Sequence, residues 1–385
     1  MRSRDARATL ADMFANRPIA CTLGLAILSI LQSPIAAAQS QPVPRPSLTP
    51  TPLLPSTPVV TPAEIAARRQ LDASIQSLGR SFAGRVGLAV RDLQTGWTSS
   101  YNGTVHFPQQ SVSKLWVALT ALERVDREEL DLDRQVTVRR EDLTLFHQPI
   151  AALVHKDGAY RTTLSDLLWR AITQSDNTAN DFIMRSAGGP DAVRDFLERH
   201  NIRGVRFGPG ERLLQSRVAG LTWKQEYSIG RAFYTARANL PLEVRRAAFN
   251  NYIANPTDGA TPLGIVDGLA KLERGELLSP ESTRRLLDTM SNTKTGPQRL
   301  KGGLAPGWKL AHKTGTGQVL GSTVAGYNDI GIISAPDGRS YAVAVLIGRT
   351  DKGIPERQKL MQDTVRAAIA YHDAIGPHGS GSRAR

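Results

Sequence analysis

The sequence predicts a mixed α/β fold in two lobes, with a cleft where they meet. Three observations carry that expectation. Strand-like runs lie at both ends of the folded body, near residues 85–101 and 308–347, and the stretch between them reads almost throughout as helix. The composition, 41% hydrophobic and 22% charged over 385 residues, is that of a globular chain and excludes a fibre, a disordered chain and a polytopic membrane protein. A sheet drawn from both ends of a chain and interrupted by helices must gather its strands in one lobe and most of its helices in another.

The first segment reads as a leader. Arg2, Arg4, Arg7 and Arg17 precede an apolar run from residue 19 to residue 31, and Ala36, Ala37 and Ala38 supply small residues for cleavage. That run is short for a bilayer span, so a signal peptide over residues 1–38 is preferred to a membrane anchor. Met13 offers an alternative start. Cys21 precedes the apolar core, where a lipid attachment cysteine would not lie. As the single cysteine it also rules out an intrachain disulfide and a cysteine-based zinc site. Export to the periplasm or the medium, with no membrane contact after cleavage, is the resulting expectation. Residues 39–62, with prolines from Pro42 to Pro62, read as an extended linker. Residues 374–385 are rich in Gly, Ser and Arg and read as a disordered tail. The folded body is then 63–373, without internal repeats. The net charge of +13 is scattered along the body, and no nucleic-acid motif accompanies it, so no nucleic-acid partner is expected.

Within the body, Ile65, Leu71, Ile75 and Leu78 give residues 63–78 the apolar stripe of a helix. Residues 85–91 and 97–101 alternate as strands about a turn at Gln94, Thr95 and Gly96. Helical spacing then covers 115–125, 164–173, 179–186, 191–200, 263–272 and 280–290. Strands return at 308–314, 329–334 and 341–347, and a last helix runs over 355–374.

Three short motifs carry chemistry. In Ser111-Val-Ser-Lys114, residues three apart share a helix face, so a hydroxyl and an amine can meet; a buried Lys can then take the hydroxyl proton. Ser291-Asn-Thr-Lys294 has the same spacing and, with no partner motifs around it, reads as a helix-end coincidence. Ser175-Asp176-Asn177 follows the 164–173 helix and on its own would be a polar cap. Lys313-Thr314-Gly315 ends a strand, whereas Lys294-Thr295-Gly296 is followed by Pro297 and reads as a turn. His312 adjoins Lys313 and, one residue along a strand, faces the other way. The sequence has no His-Glu-x-x-His, Walker loop or Gly-x-Ser-x-Gly elbow, so no metal or cofactor is expected.

The order S-x-x-K, S-D-N, K-T-G resembles serine β-lactamases and penicillin-binding proteins, and class A β-lactamases most closely. That resemblance implies an antiparallel sheet flanked by helices (63–102 and 292–373), an all-helical lobe (103–291) and an active site in the cleft between them. It implies a monomer that hydrolyses the amide bond of penicillins and cephalosporins through a Ser111 acyl-enzyme. Lys114, or Glu211 through water, would accept the Ser111 proton. Ser175 would relay it to the leaving nitrogen, and Asn177 would hold Lys114 and the substrate side chain. The backbone N–H groups of Ser111 and Thr316 would form the oxyanion hole, worth roughly 3–4 kcal/mol per donor. Lys313, Thr314, Gly315, Thr316 and Arg299 would bind the substrate carboxylate.

Glu211 falls at the family's distance past S-D-N and would activate the deacylating water. Gln215 would help place that water, although the family usually has Asn there. The loop from Glu211 to Asp258 is roughly thirty residues longer than the family's, with 223–252 reading as extra helix. Phe146 matches an aromatic at the cleft mouth and could equally be core. Gln110, before the nucleophile, excludes the disulfide that some carbapenem-hydrolysing relatives form there. A peptidoglycan D-Ala-D-Ala carboxypeptidase or slowly deacylating penicillin-binding protein is the alternative. A penicillin sensor would need a transmembrane signalling segment, which the sequence does not offer.

Overall fold

The computed structural model describes residues 60–376. The leader, nearly all of the linker and the tail after Gly376 lie outside the described residues. Helix α1 (Pro62–Ser81) begins where the proline-rich segment ends. The Thr61 hydroxyl accepts from Glu64 N at 3.1 Å, and Pro62 takes the first helical position, where a missing N–H costs no bond. The linker therefore stops short of its expected end at residue 62. Ala67, Leu71 and Ile75 form the buried stripe, whereas Ile65, expected on it, is exposed.

Strands β1 (Arg85–Asp92) and β2 (Thr98–Tyr101) form a hairpin whose turn is closed by Asp92 Oδ1 accepting from the backbone of Gln94 and Thr95. β3 (Phe107–Pro108) leads through a 3₁₀ turn, Gln110–Ser113, into α2 (Lys114–Asp126). Every residue of α2 from Lys114 to Glu123 is buried, as befits a helix apolar on nearly all sides. The next stretch departs from the expected run of helix. β4 (Gln135–Val138) and β5 (Tyr160–Thr163) pair antiparallel on either side of α3 (Ile150–Asp157). Their β-branched and aromatic side chains favour pairing, but four residues are too few to show a period.

The helix expected over 164–173 is also interrupted. It is α4 (Leu164–Trp169) followed by a π turn, Arg170–Gln174. α5 (Asn177–Ser186), α6 (Gly189–Arg199) and α7 (Glu211–Val218) follow. The long loop folds as a 3₁₀ turn, Gln225–Ser228, then α8 (Ala232–Asn239) and α9 (Leu242–Ala254), separated at Pro241, which disfavours helix in the residue before it. β6 (Gly259–Ala260) pairs with β3, and α10 (Pro262–Glu273) and α11 (Pro280–Ser291) complete the helical part.

The chain then returns to the sheet with β7 (Lys309–Thr316), the short β8 (Val319–Leu320) and β9 (Thr323–Val324), β10 (Tyr327–Ser334) and β11 (Ser340–Arg349), before α12 (Ile354–Ile375). The main sheet is antiparallel throughout in the order β2-β1-β11-β10-β7. Alternation along β11 assigns its two faces. Tyr341, Val343, Val345 and Ile347 pack with α1 and α12, while Ala342, Ala344 and Leu346 join the core of α2, α5 and α10. The smaller side chains on the inner face let helices approach closely. No helix among the described residues is long and apolar enough to cross a membrane.

Candidate active site

The 3₁₀ turn before α2 presents Ser111, and Lys114 begins the helix three residues on, with Nζ 2.7 Å from Ser111 Oγ. Lys114 is fully buried. Its charge is met by Glu211, whose Oε1 it contacts directly. A buried ammonium without such a partner would be strongly destabilising. Glu211 is the first residue of α7, and Asp181 of α5 secures that helix end. Asp181 Oδ1 accepts from Glu211 N at 3.0 Å and Oδ2 from Arg212 N at 3.4 Å. Burial, with the neighbouring Glu211 charge, pushes the Asp181 carboxyl up to about 6.

Ser175 follows the π turn in a left-handed conformation, φ 60°, uncommon for a residue with a side chain. Its Oγ accepts from Lys313 Nζ at 2.9 Å. Asp176 caps α5 through Ala179 N and also accepts from Ile150 N, tying α3 to α5; burial pushes its carboxyl up. Asn177 departs from the role the resemblance implied. Its Nδ2 donates to Leu145 O at 2.8 Å, its Oδ1 has no hydrogen-bond partner, and Glu211, not Asn177, holds Lys114. The amide nitrogen is committed to the loop that carries Phe146.

From the sheet side, β7 delivers Lys313, fully buried between Ser175 and its own strand. Burial, then the charge of Lys114, drives its amine well below the ordinary lysine range. His312 points the other way, to Asp329 at 2.9 Å. Gly315 lies so close to the nucleophile's loop that a Cβ would stand 2.4 Å from Gln109 O. Arg299 clamps the end of this strand. Nη1 donates to Gly315 O at 3.0 Å and Asn328 O at 2.6 Å, Nη2 donates to Thr316 Oγ1 at 2.6 Å, and the guanidinium lies 3.8 Å over the Tyr327 ring.

These groups surround a cavity of about 480 Å³. Ser111, Phe146, Ser175, Asn177, Gln215, Arg299, Thr314 and Thr316 line it, while Lys114, Glu211 and Lys313 lie buried beneath. Phe146 has φ 60° and meets Phe233 of α8 edge-on at 5.0 Å, so it is both a wall of the cavity and part of the aromatic cluster in the long loop. Gln215, one turn beyond Glu211, donates to Glu211 Oε2 at 3.1 Å.

Sequence reasoning missed His147, Thr295, Gly296 and Gln318, which also line the cavity. The Lys294-Thr295-Gly296 turn contributes here, since Thr295 Oγ1 shares a 2.6 Å hydrogen bond with Thr314 Oγ1 while Lys294 turns away over Trp169. Asp181 was also missed, and only its position one helical turn past Asn177 could have pointed to it. Among the described residues no group of His, Cys, Asp or Glu could hold a metal ion. A hydroxyl touching a buried amine that itself touches a carboxylate, beside a second amine–hydroxyl pair, is equipped for nucleophilic attack with proton transfer.

The family model of the β-lactamase enzyme family matches residues 70–372. The chain belongs to this family. β-Lactamase VEB-1 of Pseudomonas aeruginosa is 24% identical over 302 residues, spanning 78% of this chain and 90% of that protein. Extended-spectrum β-lactamase PER-1, from the same organism, is 29% identical over 265 residues, spanning 69% and 75%. Among solved structures, TLA-3 extended-spectrum β-lactamase superposes with a TM-score of 0.65 at 25% identity, covering 79% of this chain and 99% of that one. A β-lactamase from Chitinophaga pinensis DSM 2588 gives 0.63 at 26% identity, covering 80% and 99%. Within the family this is a class A serine β-lactamase, a hydrolase acting on β-lactams, and its mixed architecture with an antiparallel sheet is theirs.

Proposed function

We propose that this β-lactamase opens the lactam ring by attack of Ser111 and releases the product with water activated by Glu211. The observation that supports this most is the position of Lys114 Nζ, in contact with both Ser111 Oγ and the Glu211 carboxylate. Lys114 and Glu211 then act as one base. As the ammonium proton shifts to the carboxylate, the amine accepts the proton of Ser111 while Oγ bonds to the lactam carbonyl carbon. The backbone N–H groups of Ser111 and Thr316 stabilise the oxyanion. As the C–N bond breaks, that proton passes by way of Ser175 to the lactam nitrogen, and Glu211 is again ionised. In the second step Glu211 takes a proton from a water placed with the help of Gln215. The water oxygen bonds to the ester carbon, and Ser111 leaves with a proton returned through Lys114. Arg299, Lys313, Thr314 and Thr316 bind the substrate carboxylate, with Gly315 keeping the strand close. Asn177 and Phe146 contact the acyl side chain.

Glu211→Gln tests this reading. Gln keeps the shape but accepts no proton; Lys114, with no carboxylate to hold it as an ammonium, is left as the sole base for Ser111, so the variant should still acylate, more slowly, and then persist as an adduct visible by intact-protein mass spectrometry. Loss of a general base typically slows a step by roughly 10²–10⁴. Turnover equal to the wild type would remove Glu211 from the mechanism.

A further inference from the structure

Besides Gln215, the long segment between Glu211 and Asp258 sends a second polar side chain toward the residue before the nucleophile. Tyr252 of α9 is buried among Leu214, Val218, Phe249 and Ile253. Its hydroxyl accepts from Gln110 Nε2 at 2.7 Å and donates to Asp258 Oδ2 at 3.1 Å. Gln110 is the residue before Ser111. It has φ 54°, a left-handed conformation that is strained for a residue with a side chain and persists only where its surroundings enforce it. Its backbone N–H donates to the same Asp258 oxygen at 2.9 Å, and its Nε2 also donates to Ala325 O at 3.1 Å. Its Oε1 accepts from Gln215 Nε2, which donates in addition to Glu211 Oε2, both at 3.1 Å.

The two terminal carboxylates therefore set the polarity of the whole chain. Asp258, pushed up to about 6 by burial and ionised at neutral pH, accepts from both Gln110 N and Tyr252, so the Tyr252 hydroxyl accepts from Gln110 Nε2. Gln110 then turns its carbonyl to Gln215, and Gln215 is left presenting its N–H groups to Gln110 and Glu211. Burial keeps the Tyr252 phenol protonated by pushing it well above the ordinary tyrosine range, and the nearby Asp258 adds to this.

We propose that Tyr252 is a positioning residue for deacylation, holding the Glu211 carboxylate in register with the acyl ester through Gln110 and Gln215. The proposal rests on Glu211 being the deacylating base.

Tyr252→Phe keeps the ring in its apolar cluster and removes only the hydroxyl. Stopped-flow acylation by a penicillin should stay within about twofold of wild type, while deacylation slows about ten- to a hundredfold, as a misplaced catalytic group does. The acyl-enzyme should then accumulate. Unchanged rates for both steps would overturn the proposal. So would an equal fall in both, as from a general loss of structure, for which Phe249→Leu in the same cluster is the control. Adding Tyr252→Phe to Glu211→Gln should slow deacylation no further, because the group being positioned is gone. A double variant slower than Glu211→Gln by the full factor of the single change would mean that Tyr252 acts by another route. A Glu211→Gln enzyme that turns over normally would instead sink the base assignment, whatever Tyr252 does.

Discussion

Arg299→Ala removes the single Lys or Arg among the residues lining the cavity; Lys114 and Lys313 lie beneath its surface. The guanidinium sits at Thr316, at the end of β7, where the substrate carboxylate is proposed to bind. A charge-assisted hydrogen bond is worth about 1.5–3 kcal/mol, which corresponds to a loss of roughly 10- to 150-fold in kcat/KM. A grip on a carboxylate whose charge does not change as the C–N bond breaks is nearly equal in the ground and transition states, so the loss should appear as raised KM with kcat little changed. Steady-state hydrolysis of benzylpenicillin measures it, with thermal melting to confirm the fold. The variant also strips a donor from Gly315 O and Asn328 O, so two comparisons separate charge from structure. Arg299→Lys keeps the charge but not the fork, and should recover part of the KM. A penicillin methyl ester, which has no carboxylate, should be a poor substrate for the wild type and no worse for the variant. Unchanged KM for benzylpenicillin in folded Arg299→Ala, or an equal loss with the ester, would refute the reasoning.

Two further outcomes are expected. Asp181, raised to about 6 by burial, favours the folded state at low pH, and that contribution is lost as pH rises from about 4 through about 6. Asp181→Asn should therefore lose less stability than wild type between pH 4 and pH 7, by on the order of 3 kcal/mol, in urea unfolding at each pH; parallel curves would show that burial does not act this way. We also propose export with cleavage after Ala38, yielding a monomer. N-terminal sequencing of the periplasmic product should begin at Gln39 and its light scattering should give one chain, whereas a cytosolic product retaining Met1 would contradict export.

The long elements were legible because burial leaves its period in the sequence. The stripe of Leu71 and Ile75 and the unbroken apolar run of β11 each report the faces they cover. Most of the residues gathered at the cavity were legible because S-x-x-K, S-D-N and K-T-G are local. What escaped notice depends on distant partners. Gln110 and Tyr252 are 142 positions apart, and nothing near either residue signals the other. Asn177 was assigned to Lys114 by likeness, but a carbonyl 32 residues away, Leu145 O, claims its amide. The pairing of β4 with β5 was hidden by strand brevity, and the π turn before Ser175 by good helix-forming side chains that continue the pattern of α4.

The place of β11 in the sheet has a consequence for biosynthesis. It is the central strand, between β1 and β10, yet it is made last. Asp92 waits for Tyr341 and Arg85 for Arg349, so the first strands emerge from the ribosome long before their partner exists. Until residue 349 has been translated the sheet is two separate hairpins, β2-β1 and β10-β7, neither with an inner neighbour. Pairings so distant in sequence are slow to form even in a finished chain. The main sheet therefore cannot close around its central strand until nearly the whole of the folded body has been made.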